Sequence, residues 1–297
     1  MLNQASIVIM YAVTPCHAGS GSALGVVDLP IQRERHTNWP VIQATGVKGA
    51  FRSNFDKFNK DSSVSTESVF GASDGGNSNG GWQGACSMSD AKILAYPMRS
   101  NVAPFVWITC PAVLKRFVRD LEAAGKNPEI NFENIKDCEA VSLGSDPLSG
   151  NVLIEDFGVA VQPNENITAK FEKIKAYFEG AERLLLVSDK AFNYGVTDCT
   201  QIMAQIRIES ETGTTADGSL RYQEELPSDT IMYSMIYWED SKNKNVNSKI
   251  DAEKVHETVE KVAGSHIQIA GDETCGRGIF KLTWINAEAK NGENNGK

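Results

Sequence analysis

Asp28 stands alone in a short apolar run between Gly25 and Pro30, in the stretch GVVDLP. An isolated carboxylate has three uses: general base, metal ligand, or turn acid ahead of Leu-Pro. Resident metal sites ordinarily gather several ligands, so on spacing alone the turn acid is the plainest of the three. His17, upstream in CHAGSGS, can donate a proton or simply tie down its own loop. Farther on, GVKGAFR sets Lys48 between Gly46 and Gly49, with Arg52 one helical turn later. With a helix opening just beyond the lysine, this turn offers a cation and free N–H groups to an anion. The alternative is a pair of solvated cations. The full G-x-x-x-x-G-K-[ST] spacing is missing, which argues against a nucleoside triphosphate. GDETCGRG, residues 271–278, places Gly271, Gly276 and Gly278 between two strand-like runs. Such a loop either cradles a phosphate with successive N–H groups or makes a turn that only glycine can take. No GxSxG elbow, HExxH helix or paired-carboxylate signature accompanies these residues.

The chain has 297 residues, enough for one large domain with insertions or two small ones. Lys and Arg total 29 against 38 Asp and Glu, a net charge of −9. Such a chain repels polyanions at long range. Binding to nucleic acid therefore calls for a local basic groove, or for an assembly that supplies more cations. No apolar run reaches the ~20 residues of a membrane span, so no membrane partner is expected. The N-terminal MLNQASIVIMYAVTP reads as a strand and not as a signal peptide. Six scattered cysteines without a C-x-x-C pair imply reduced, mostly buried thiols and a cytoplasmic setting.

Positioning these residues falls to interleaved strands and helices. SIVIMYAVTP (6–15) is a branched, strand-like run, and AKILAYPM, VAPFVWITC, NVLIEDFGVAVQ, RLLLVSD, TQIMAQIRIES and TIMYSMIYWED read likewise. Thr45 is expected to cap a helix with Val47, Phe51 and Phe55 on one face. PAVLKRFVRDLEAAGK (111–126) has Pro in its first turn and Gly125 at its end, and KIDAEKVHETVEKVAG is amphipathic. Residues 59–90 are rich in Ser, Gly and Asn and read as a mobile surface insertion. Residues 210–229 form a polar excursion with Asp217-Gly218 as its turn signal. Trp107, Tyr237, Trp238 and Trp284 lie in strand-like runs, where packing outweighs base stacking. The order suits an α+β fold built from one or two ferredoxin-like (RRM-like) units.

Five segments in this order resemble a known family: TPCHAGSGSALGVVDLPIQRERHTNWPVIQATGVKGAFR, SDAKILAYPMRS, FVWITCPAVLKRF, LRYQEELPSDTIMYS and IQIAGDETCGRG. The chain resembles the RAMP-superfamily backbone subunits of type III-B (Cmr) CRISPR effector complexes. The resemblance implies an RRM-like palm spanning 1–297, with fingers inserted at 59–90 and a β-hairpin thumb at 200–235. Residues 286–297 read as a disordered tail. It also implies several copies along a CRISPR guide RNA, other effector subunits as partners, and cleavage of complementary single-stranded target RNA at regular intervals. Carried over, Asp28 matches the acid that cleavage requires, with a divalent ion such as Mg²⁺ or Mn²⁺, and His17 lies in the neighbouring loop. Lys48, Arg52, Gly46 and Gly49 match the element that holds guide phosphates. Gly276, Arg277 and Gly278 match the C-terminal glycine-rich loop, and Arg33 is a further candidate in the groove. Whether Arg35, Glu224 or Glu225 touches RNA stays open, as does a non-catalytic scaffold role.

Overall fold

The computed structural model describes residues 4–72, 81–243 and 249–286. Residues 287–297 of the expected tail, and 73–80 of the insertion, lie outside them. Among the described residues, a sheet of twelve strands forms the backbone of an α+β fold. One of its inner strands is Gln4–Ala12, whose apolar run buries Ile7, Val8 and Met10 completely. Both faces are covered, which is why the run lacks polar alternation. Ile279–Asn286 and Ile231–Trp238 flank it, both antiparallel, and Ala91–Arg99 pairs with the outer edge of Ile231–Trp238. The order then runs outward through Phe105–Thr109, Leu184–Val187, Glu139–Ser142, Phe157–Val161 and Gly150–Ile154, and on the other side ends at His266–Gln268.

Helices Ala44–Phe58 and Ala252–Ala263 pack against each other over one half of this sheet. Val47, Phe51 and Phe55 form the buried stripe of the first, and Phe51 meets Trp284 edge-on at 6.0 Å. Thr45 is not the cap. The helix starts earlier, and Ala44 N–H donates to Asp90 Oδ1 at 2.7 Å, so a carboxylate from a distant loop does that work. Pro111–Ala123 buries Leu114, Phe117 and Leu121 as its periodicity requires. NVLIEDFGVAVQ is two strands and not one: Glu155, at φ +50°, turns the chain between Gly150–Ile154 and Phe157–Val161. Asp189–Asp198 is a helix that carried no apolar period strong enough to read. The described part of the insertion is packed on the fold. It folds Thr66–Phe70 as a short helix and buries Val69 and Phe70, the latter against Phe55 at 5.6 Å.

A buried polar cluster ties Pro111–Ala123 to the sheet. Asp120, 5% exposed, accepts from Lys92 Nζ at 2.6 Å and from Tyr233 Oη at 2.8 Å. Burial alone would raise the Asp120 pKa. The bond and charge of Lys92, with Tyr233 and Arg119, outweigh burial and hold it below the usual carboxylate value. A depressed folded value means stability that is complete above about pH 4 and is lost as pH falls below it. Asp120→Asn is expected to cost about 3 kcal/mol at pH 7, because it leaves a buried ammonium short of its partner. The gap between variant and parent should narrow at pH 3, as read by denaturant titration at both pH values.

Candidate active site

The site is assembled on one short strand. Arg221–Glu225 pairs with Gln201–Gln205 as a two-stranded hairpin that stands off the main sheet. Three consecutive polar residues on it, Gln223, Glu224 and Glu225, are buried at 2%, 6% and 0% exposure. Burying polar groups is costly unless each is bonded. Here each is, because two loops clasp the strand.

The first loop carries Asp28. Tyr222 N–H donates to Asp28 Oδ2 at 2.7 Å. Leu29 N–H donates to Tyr222 O at 3.1 Å, and Glu224 N–H donates to Leu29 O at 2.9 Å. Asp28 Oδ1 carries no hydrogen bond among the described residues, and the side chain is partly exposed. His17 reaches the same strand two residues on, its Nδ1 lying 2.7 Å from Glu224 O. A carbonyl only accepts, so Nδ1 holds the proton and Nε2 of the neutral ring is an acceptor. The two anchor points share one strand edge on the order of 7–10 Å apart. Gly19 is required beside His17: a Cβ there would lie 2.7 Å from Nε2. Gly19→Ala should therefore displace the imidazole while leaving stability within about 1 kcal/mol. A denaturant titration and the NMR signals of the His17 ring check this together.

The second loop is the glycine-rich one. Gly278 N–H donates to Pro15 O at 2.8 Å and Gly271 N–H to His17 O at 3.2 Å, so this loop backs the histidine segment. Arg277 Nε donates to Glu225 Oε1 at 2.9 Å, and Gln223 Nε2 to Asp272 Oδ2 at 2.6 Å. The Arg277 side chain stays 28% exposed, and its outer N–H groups remain for another acceptor. Gly276 is exposed, with nothing within 4 Å of a Cβ. Cys16, between the two loops, is no nucleophile: burial and the Glu225 charge push its thiol up to about 12.

Lys48, Gly46 and Gly49 lie inside helix Ala44–Phe58 and not in a turn ahead of it, because the helix begins at Ala44. Gly46 and Gly49 leave a bare, exposed stripe on that helix. Lys48 Nζ donates to Cys86 O at 3.2 Å and Arg52 Nη1 to Gly71 O at 2.8 Å, so both reach into the insertion. Each uses one donor there and keeps others. Arg33 is turned inward: it bonds Glu224 Oε1, Asn38 O and Val196 O, with its side chain 16% exposed. Arg35 is exposed. Gln223 and Thr200 are components that sequence reasoning did not single out, and it left the role of Glu224 open. The one signal is the acidic pair in YQEELP, following a polar hairpin.

Among the described residues no three His, Cys, Asp or Glu side chains gather as a metal site. Asp28 is the one carboxylate the loop offers outward. The residues do not fit a resident divalent ion; one held jointly with RNA phosphates is the arrangement they allow.

The RAMP superfamily profile matches residues 9–281. The Pyrococcus furiosus "CRISPR system Cmr endoribonuclease Cmr4" is 37% identical over 289 residues, covering 94% of this chain and 95% of that protein. A crystal structure of oligomeric Cmr4 from Pyrococcus furiosus superposes with a TM-score of 0.70 at 29% identity, covering 96% and 99% of the two chains. A chain in a type III-B Cmr-beta complex bound to cognate target RNA shares the fold, with a TM-score of 0.72 at 22% identity over 94% and 96% of the two chains. With nearly its whole length matched in sequence and in fold, the chain belongs to the RAMP superfamily, among the backbone subunits of type III-B (Cmr) CRISPR effectors.

Proposed function

We propose that the chain is the RNA-cleaving backbone subunit of a type III-B complex, stacked in several copies along a guide RNA and cutting complementary target RNA at regular intervals. The observation that carries the chemistry is Asp28: a carboxylate with one oxygen fixed by Tyr222 N–H and the other unbonded, on an exposed loop beside His17. RNA brings its own nucleophile, the 2′-OH. A nucleotide splayed so that 2′-O, phosphorus and the leaving 5′-O fall in line needs little more than a base and charge stabilisation. Asp28 Oδ1 takes the 2′-OH proton; the leaving 5′-O takes a proton from water, or from Nε2 when the His17 ring, held at Nδ1, carries a second proton. A divalent ion shared with the RNA would add neutralisation of phosphate charge.

The strand order Ile279–Asn286, Gln4–Ala12, Ile231–Trp238, Ala91–Arg99, with both helices over it, supports reading this half as an RRM-like palm. Hairpin Gln201–Glu225 is then the thumb and 59–90 the fingers. The helix stripe of Gly46 and Gly49 with Lys48 and Arg52, and the loop of Gly276, Arg277 and Gly278, form the guide-phosphate track. Arg33 serves by shaping the Asp28 loop from within. Free thiols throughout accord with a cytoplasmic setting, and no described helix is long and apolar enough to cross a membrane.

The test is product chemistry. The reconstituted complex should leave 2′,3′-cyclic phosphate and 5′-OH ends at evenly spaced cuts, lost in EDTA if a shared ion takes part. A 5′-phosphate product would mean that water attacked, and the mechanism would be wrong. Binding of target without any cut would favour the scaffold role.

A further inference from the structure

We infer that Glu224 is a positioning residue: a buried carboxylate on the hairpin that holds the Asp28 loop and so locks the cleavage acid to the hairpin of its own chain. This rests on reading Asp28 as the cleavage acid.

The loop is held at its base by buried Cys16, Ala18 and Ile31 and across itself by bonds such as Gln32 N–H to Ala18 O at 2.7 Å and Ala23 N–H to Asp28 O at 2.9 Å. Its tip, Gly21–Val26, is exposed, and Leu24 and Val26 stand out at 111% and 93% exposure, so apolar packing does not anchor it there. What fixes it to the hairpin is a row of polar bonds to one strand, several of which converge on Glu224. Glu224 Oε2 accepts from Ile31 N–H at 3.0 Å, three residues past Asp28. Oε1 accepts from Arg33 and, at 2.6 Å, from Thr200 Oγ1 at the foot of the hairpin. The Glu224 backbone completes the set, its N–H donating to Leu29 O and its carbonyl accepting from His17 Nδ1. One residue therefore touches both segments that carry the proposed chemistry and both strands of the hairpin.

Apolar residues would hold a loop to a strand at least as firmly, since a buried ion pair adds little net stability. A fully bonded polar cluster supplies a single geometry instead. Displacement of a reacting group by 1 Å can cost on the order of 10²-fold in rate. In this arrangement the acid shifts wherever the hairpin shifts, so the hairpin sets which phosphodiester faces Asp28.

The experiment uses the reconstituted complex with guide RNA and a single bound target, comparing Glu224→Gln, Thr200→Val and Asp28→Asn with the parent. Gln keeps the size of Glu but cannot accept from Ile31, Arg33 and Thr200 together. Glu224→Gln is expected to lower the single-turnover cleavage rate at least tenfold, with target affinity within twofold and cuts spreading to neighbouring nucleotides. Thr200→Val, which removes one bond and leaves the ion pair, should lower the rate about threefold, and it decides the matter if Glu224→Gln fails to assemble. A purely architectural role would reduce the yield of complex while leaving rate and cut position per bound target unchanged. Parental rates and positions in Thr200→Val and in any assembled Glu224→Gln, with Asp28→Asn inactive, would overturn the positioning role alone. Cutting by Asp28→Asn would overturn the reading beneath it.

Discussion

Asp28→Asn is expected to lower target cleavage by about 10²–10⁴-fold while guide and target binding stay within twofold, because it removes the proposed general base and with it the proton transfer. Asparagine keeps the Oδ acceptor for Tyr222 N–H, which is 2.7 Å away, so the loop keeps its shape. What disappears is the capacity of the unbonded oxygen to take a proton or face a cation. The measurement is single-turnover cleavage of a labelled, guide-complementary RNA by the reconstituted complex, alongside a binding titration. Loss of evenly spaced cuts with binding intact is the expected result. Unchanged cutting would return Asp28 to the role of a turn acid and leave the chain a scaffold.

Gly278→Ala is expected to destabilise the chain by about 2–4 kcal/mol, from left-handed strain plus a lost backbone bond. Gly278 has φ +72°, and a Cβ there would sit 2.0 Å from the Ile269 carbonyl oxygen. Backbone cannot rotate aside as a side chain does. Making room means breaking the Ile269 N–H to Gly278 O bond at 2.8 Å and shifting the loop that backs His17. Gly276 shares φ +72° but faces open space, so Gly276→Ala should cost only about 1 kcal/mol. Denaturant midpoints for the pair check the contrast. Equal losses would show that backbone strain, and not the close approach, governs the loop.

The core elements were legible because their residues repeat with the period of their structure. SIVIMY is mostly apolar because Gln4–Ala12 is an inner strand, paired on both edges and buried along most of its length. Pro111–Ala123 shows its period because one face is buried. Asp189–Asp198 was illegible because a short helix with mixed residues carries little periodicity, and the Glu155 turn because its left-handed residue is not a glycine. The packed insertion escaped notice because Val69 and Phe70 are few among many polar neighbours.

At the site, residue type and order alone singled out Asp28, His17, the Lys48–Arg52 segment and the glycine loop, and five ordered segments sufficed for the family. Their arrangement was decided only in three dimensions. Nothing local tells that Arg33 turns inward to Glu224, 191 positions away, or that Asp28 is held by the N–H of Tyr222, 194 away. Hydrogen bonds between loops leave no periodic mark in a sequence. They depend on where the hairpin brings its strand, and that is set by the packing of the whole chain.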